Sequence, residues 1–359
     1  MDTISLIEKL SNSSGAPGFE DEVCQVVKEN CGELKYYKDS MQNVYLLAQE
    51  YDKSKPTLML DAHLDEVGFM VQAIDGKGLI SFLALGGWNA STLPSHKVRI
   101  QNRDGEYISG VIISKPSHLS SSSDNNKKVE IEDLKIDVGA TSREEVINEF
   151  KIDLAAPIVP FVQFEYNQRN GIMCGKAFDN RLGCGVVIKV LQSLVGKNLD
   201  VNVVGALATQ EEVGTRGAQV TAYNISPDIA IVFEGTPADD SYTDSYSCQS
   251  GLKKGPQLRH RDSSFIANHR FIKFAKKVGD DNRILYQEAV RRAGGTNSGK
   301  IHLTGKGVPT IVIGVPSRYI HSHFCYAALD DFNGAVNWAT KIIENLTLDN
   351  INSIKNIYK

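Results

Sequence analysis

Histidines and carboxylates stand where short apolar runs of this chain end, a spacing that suits a metal centre. His63 and Asp65 follow Thr-Leu-Met-Leu, and Glu234 follows Ile-Ala-Ile-Val-Phe. Glu211 and Glu212 come after the apolar run over residues 201–208, and His321 lies downstream of Thr-Ile-Val-Ile-Gly. Asp179 opens an apolar-striped helical segment. Imidazole and carboxylate ligands without a thiolate suit Zn²⁺, Co²⁺ or Mn²⁺ in a water-holding, hydrolytic site. One Asp shared between two ions, with a His and a further carboxylate for each, would build a two-metal centre with ions ~3.5–4 Å apart.

Each residue also has a plainer reading. His63 and Asp65 are two apart, so on extended chain they share a face, and the Asp65 carboxylate can fix the imidazole tautomer. A surface His beside an Asp by chance has the same spacing. Asp179 can bridge two cations through its two oxygens, or simply cap a helix. Arg181 anchors a neighbouring carboxylate or forms a structural ion pair. Glu211 and Glu212 repel one another after a buried strand unless cations or protons compensate. As neighbours on extended chain they would face opposite ways, leaving one free to bind metal and the other to accept a proton. A solvent-facing acidic turn is the alternative. Of His321 and His323 only one need be a ligand, and His302 reads as a structural histidine.

Runs of this kind alternating with helices describe a mixed-sheet α/β fold flanked by helices, which binds ligands beyond the carboxyl ends of its strands. At 359 residues the chain is long enough for two domains. The first thirty residues read as two helices, with Val23, Val26, Val27 and Cys31 on one face of the second. Between residues 67 and 162 the texture turns β-rich, with an Asp104-Gly105 hairpin turn and one short helix opened by a Ser142–Glu145 capping box. This stretch reads as a small β domain inserted into a larger domain of residues 1–66 and 163–359. Residues 120–128, with four consecutive serines, read as a mobile surface loop. The pattern then returns to helix-and-strand alternation, with an apolar stripe through Leu182, Val186, Val190 and Leu194 and a C-terminal helix through Phe332, Val336, Ala339 and Ile343.

Bulk properties exclude several classes. A net charge of −4 without a basic face argues against nucleic acid. The densest basic patch, Lys253, Lys254, Arg259, His260 and Arg261, reads as a solvated loop. No apolar stretch reaches the ~18 residues of a membrane helix. Acids at positions 2 and 8 and no basic n-region argue against a secretory signal, and six cysteines without a Cys-x-x-Cys pair fit reduced thiols in the cytoplasm.

Four motifs together carry a resemblance: Asp-Ala-His-Leu-Asp-Glu-Val-Gly-Phe, Ala-Phe-Asp-Asn-Arg-Leu-Gly, Gln-Glu-Glu-Val-Gly-Thr-Arg-Gly-Ala and Arg-Tyr-Ile-His-Ser. The chain resembles the tetrahedral aminopeptidases, dinuclear metallopeptidases also called glutamyl or deblocking aminopeptidases. The likeness covers nearly its whole length and includes Gly86-Gly87-Trp88. It implies that Asp179 bridges two divalent ions, Zn²⁺ or Co²⁺ with Mn²⁺ as a third option. His63 and Glu234 would complete one ion, Glu212 and His321 the other. Asp65 would orient His63, and Glu211 would be the general base for attack of a metal-activated water on the first peptide bond. The insert would resemble the family's β-barrel domain, and the chain would act on short peptides as dimers assembled into a dodecamer. Two departures stand out: Glu234 where the family often has Asp, and Asn297 in a Gly-Gly-Thr-Asp-type loop. The rival expectations are a catalytically silent scaffold and a glycoside hydrolase, which needs two carboxylates and no metal.

Overall fold

Four runs of β-branched and aliphatic residues pair in parallel at the centre of a mixed sheet, in the computed structural model that describes residues 2–114 and 129–356. In spatial order they are Asn202–Ala208, Thr57–His63, Ile229–Pro237 and Thr310–Arg318. Every residue of the first two strands is buried, as parallel strands covered on both faces require. Register aligns Ala208 with His63 and Glu234 with Gly314, so the carboxyl ends of the four strands open on the same edge. Antiparallel strands extend the sheet on either side, through Val44–Leu47 and Lys35–Lys38 at one end and through Cys325–Ala328, Ile172–Gly175 and Glu165–Asn167 at the other.

The helix Phe178–Leu194 is buried on almost every side. It packs close to the sheet: a Cβ on Gly205 would sit 2.6 Å from Leu191. Its first residues depart from the expected capped start. Asp179 (φ −85°, ψ 100°) and Asn180 (φ −129°, ψ 39°) are non-helical, so regular helix begins only beyond them. The expected N-terminal pair is present as Thr3–Asn12 and Asp21–Asn30. The helix Leu329–Glu344 buries Phe332, Ala339 and Ile343, while Val336 is only partly covered. The described chain then adds an unanticipated short helix, Leu348–Lys355, opened by the Thr347 hydroxyl.

A closed barrel forms from Gly68–Ile74, Ile80–Leu85, Lys135–Asp137, Tyr107–Ile113, Lys97–Gln101 and Pro157–Pro160, in that order around it. It has its own core of Phe69, Phe82, Val98, Ile100, Ile112 and Ile158. The hairpin turn is shaped by Asn102, whose side-chain oxygen accepts the N–H groups of Asp104 and Glu106. The Ser142 hydroxyl accepts the Glu145 N–H, but Glu145 reaches back to Thr141 N–H, one residue earlier than a capping box requires. Residues 120–128 lie outside the described part of the chain. Among the described residues, no helix is long and apolar enough to cross a membrane.

Candidate metal centre

The open edge of the parallel strands gathers His63, Asp179, Glu211, Glu212, Glu234 and His321 into one hollow. Three overlapping groups, His63–Asp179–Glu234, His63–Glu211–Glu212 and Asp179–Glu212–His321, each have ligand atoms within 4.8 Å of one another. Asp179 lies at their middle. Its Oδ1 is 3.1 Å from His63 Nε2 and its Oδ2 is 3.3 Å from His321 Nε2. Glu234 Oε1 is 3.5 Å from His63 Nε2, and Glu212 Oε2 is 3.7 Å from His321 Nε2. Glu211 Oε2 stands 3.9 Å from His63 Nε2. His323 is outside this group, buried and stacked on His96 at 4.2 Å. His302 is turned away, its Nδ1 against the Ser298 carbonyl.

Backbone geometry explains why both glutamates enter the hollow instead of facing opposite ways. The Glu211 carbonyl accepts the N–H groups of Gly214 and Thr215, so the chain turns at Glu211 and is no longer extended. Asp65 holds that turn: its Oδ1 accepts Glu211 N–H at 2.9 Å and its Oδ2 accepts Glu212 N–H at 3.0 Å. The expected contact to His63 is the longer one. His63 Nδ1 is 3.1 Å from the Asp65 carbonyl and 3.5 Å from its carboxylate. The imidazole is thus fixed mainly by main chain, and the carboxylate mainly positions the two glutamates.

Other fixings come from residues outside the candidate ligand set, Arg181 among them as the sequence suggested. Asn180 donates to the Phe233 carbonyl and to Glu234 Oε2, and its Oδ1 accepts Gly235 N–H. Gly235 permits this approach, since a Cβ there would meet the Phe178 carbonyl at 2.4 Å. Arg181 donates to the carbonyls of Leu64, Leu10 and Ser13 and to Glu66, holding the loop that carries His63 and Asp65. His321 Nδ1 meets the Gly87 carbonyl at 2.9 Å, a contact from the barrel segment. A Cβ on Gly87 would lie only 3.2 Å from that nitrogen. Gly86-Gly87 was visible as a motif, but not its target.

The electrostatics are those of a cation site. Burial, with Asp179 alongside, pushes Glu212 up to about 8 and Glu234 up to about 7. Burial pushes Glu211 well up too, helped by Glu234, Glu212 and Asp65. Burial opposes charge on His321, yet Asp179 and Glu212 raise it to about 10. His63 is raised well above its ordinary value against the same opposition, by Glu211, Asp179, Asp65 and Glu234. Asp179, flanked by both rings, is held below the usual carboxylate range despite its burial. Glu212 Oε1 is buried with no hydrogen-bond partner among the described residues. Carboxylates that crowd two imidazoles and leave one oxygen orphaned fit divalent cations better than they fit protons.

Behind the turn, Glu20 Oε1 accepts both Gly18 N–H and Gln210 N–H, at 2.9 and 3.0 Å. Burial, with Asp65 nearby, raises its pKa from 4.5 to about 7. Folded protein therefore binds a proton that unfolded chain releases, so this group's stabilisation is full below about 4.5 and lost as pH rises through about 7. Glu20→Gln keeps the accepting oxygen without the charge. Thermal melts should show the variant more stable than the parent by roughly 1–3 kcal/mol at pH 8, the gap closing toward pH 4.5. A gap that ignores pH would refute the buried charge.

The solvated loop expected of the basic patch holds for Lys253 and Lys254, exposed in a turn, but not for Arg259. Arg259 lies on the strand Gln257–Arg261, is 4% exposed, and pairs with Asp262 at 3.1 Å. It lines the same hollow as the acidic cluster.

Comparison with known proteins agrees with this geometry. The profile of the M42 glutamyl aminopeptidase family matches residues 43–337. The glutamyl aminopeptidase of Lactococcus lactis is 30% identical over 359 residues, covering 99% of this chain and 100% of that protein. A TET aminopeptidase from a marine-sediment Thaumarchaeota archaeon superposes with a TM-score of 0.92 at 33% identity, covering 98% of this chain and 99% of that one. The Pyrococcus horikoshii TET1 peptidase, described as able to assemble into a tetrahedron or a large octahedral shell, superposes with a TM-score of 0.85 at 26% identity, covering 96% and 100%. The chain belongs to the M42 glutamyl aminopeptidase family and is a metal-dependent aminopeptidase.

Proposed function

We propose that two divalent cations, zinc or cobalt, are held by Asp179 between a His63–Glu234 pair and a Glu212–His321 pair, and that Glu211 is the general base in releasing N-terminal residues from short peptides. The observation that carries this is Asp179, with one carboxylate oxygen toward each imidazole and a further glutamate beside each ring. Bound divalent cations supply Lewis-acid polarisation of the scissile carbonyl and bring the pKa of an attacking water toward neutrality.

The chain's own groups do the rest. His63 and His321 each keep Nε2 free for a ligand role because Nδ1 faces a main-chain carbonyl. Glu211 accepts the proton of the attacking water and returns it to the leaving amine. Asp65 keeps Glu211 in place through its main-chain N–H. The excess of carboxylates around the hollow suits the free α-ammonium of a peptide, which would enforce removal from the N-terminus only.

Residues 67–162 form, in this reading, a separate domain that governs access and assembly. Its own core and the Gly87 contact to His321 support that division. Likeness to the TET1 peptidase supports a homo-oligomer, taken here to be dimers built into a dodecamer. Six free cysteines, four of them buried, fit a reducing cytoplasm.

A panel of aminoacyl p-nitroanilides, assayed before and after EDTA and after return of Zn²⁺, Co²⁺ or Mn²⁺, tests the reading. Chelation should remove activity and one of these ions restore it. Activity indifferent to chelator would favour a metal-free hydrolase such as a glycosidase, and inertness with two ions bound would favour a scaffold.

A further inference from the structure

The two halves of the acidic cluster are held in different ways. His63 closes a fully buried strand and is fixed from within the sheet domain. Its Nδ1 faces the Asp65 carbonyl, the Cys184 thiol donates to its own carbonyl at 3.0 Å, and Asn180 steadies Glu234 beside it. His321 stands three residues beyond the strand Thr310–Arg318, in a short loop that closes at Cys325. Its side chain is 38% exposed, against none for His63. Tyr319 (φ 61°) and His321 (φ 60°) are both left-handed, a conformation that a residue with a Cβ keeps only where its surroundings impose it.

Part of that constraint is local: the Ser322 hydroxyl lies 2.6 Å from the Tyr319 carbonyl and 3.0 Å from the Phe324 carbonyl. The rest comes from the barrel. His323 is 2% exposed, and its ring stacks on His96 at 4.2 Å and meets Trp88 at 5.6 Å between centroids. His96 also meets Phe324 at 5.8 Å. Both gripping residues are anchored in the barrel. Trp88 stacks on Phe69 at 4.7 Å, and its indole N–H donates to the Gly68 carbonyl at 3.1 Å. The His96 carbonyl accepts the Ile112 N–H, and the His96 N–H donates to the Leu93 carbonyl.

The two glycines ahead of Trp88 complete the contact. A Cβ on Gly86 would come within 3.2 Å of Glu212 Oε2, and one on Gly87 within 3.2 Å of His321 Nδ1. One barrel turn therefore lies against both members of the Glu212–His321 pair, and the next residue grips the loop that carries His321.

Resting on the two-ion reading above, we propose that the barrel positions the Glu212–His321 half of the centre, with Trp88 and His96 as positioning residues that hold His321 in place through His323. The half built on His63 and Glu234 does not depend on them. Groups standing behind a metal ligand change metal affinity by about 10–100-fold.

Calorimetric titration of the metal-stripped full chain with Zn²⁺, with elemental analysis of the same samples, tests this. His96→Ala should weaken one of the two ions by about 10-fold or more and leave the other as in the parent. His96→Phe, which keeps an aromatic plate against His323, should restore the weakened ion. Double variants identify that ion: His96→Ala added to Glu234→Ala should weaken the ion that remains, and added to His321→Ala it should not. His96 is only partly buried. Should His96→Ala nevertheless fail to fold, Gly87→Ala, which presses on His321 Nδ1 directly, takes its place in the same comparison. Equal weakening of both ions, weakening of neither, or a His96→Phe variant as weak as His96→Ala overturns the proposal and leaves the two-ion reading standing. A parent protein that binds fewer than two ions overturns that reading, and this proposal with it.

Discussion

Glu211→Gln is expected to lower kcat/KM for aminoacyl substrates by about 10³-fold or more while metal content stays at the level of the parent. The substitution is nearly isosteric and leaves the main-chain N–H of residue 211 on Asp65, so the turn keeps its shape. Glu212, the adjacent proposed ligand, keeps its own N–H on the other Asp65 oxygen. What disappears is the carboxylate proposed as the proton acceptor, 3.9 Å from His63 Nε2. Turnover assays and elemental analysis on the same preparation check the expectation. A variant with full activity would remove Glu211 as the base. One that loses its metal would make residue 211 a ligand.

Asp179→Ala should remove both ions together. Asp179 is the residue with an oxygen toward each imidazole, 3.1 Å on the His63 side and 3.3 Å on the His321 side. Without it, each half-site keeps one imidazole and one glutamate, too few for a four-coordinate ion held by three protein ligands. On the proposed two-ion reading, metal content should fall from two ions per chain to well under one, and activity should fall below detection. Glu234→Ala offers the contrast, because it removes a ligand from the His63 side only and should leave one ion bound. Equal metal loss in the two variants would mean that the halves fill as one unit and that Asp179 has no special bridging place.

Much of the fold and the nature of the site were legible in the chain itself. Period-2 and period-3.6 patterns set strands and helices through local backbone geometry, which explains why the apolar runs leading to His63, Ala208 and Glu234 read as strands. The type of the candidate ligands was equally plain, since imidazole and carboxylate chemistry travels with the residue. The extra turn at Glu211 was less legible: alternation predicts opposite faces for neighbours, and only hydrogen bonds from Gly214 and Thr215 bend the chain so that both carboxylates converge. The basic patch misled for a related reason, because Arg259 is charged and yet buried by partners at Thr236 and Asp262.

By itself, then, the order of residues determined which side chains carry cation-binding chemistry and that they lie near apolar runs, but not that Glu234 sits inside the strand Ile229–Pro237 where a turn at Gly-Thr-Pro was expected, nor that His321 lies three residues beyond the strand Thr310–Arg318. Tertiary structure alone decided that His321, and not His323, faces Asp179, that Asp65 grips the Glu211–Glu212 main chain, and that Gly87 and Arg259 share the hollow. The reason is range. A strand end is a property of a few consecutive residues, whereas the Gly87–His321 contact joins groups 234 positions apart and the Asp65–Glu211 contact groups 146 apart. Nothing in either local segment marks its partner, because the pairing arises only when the sheet and barrel have packed.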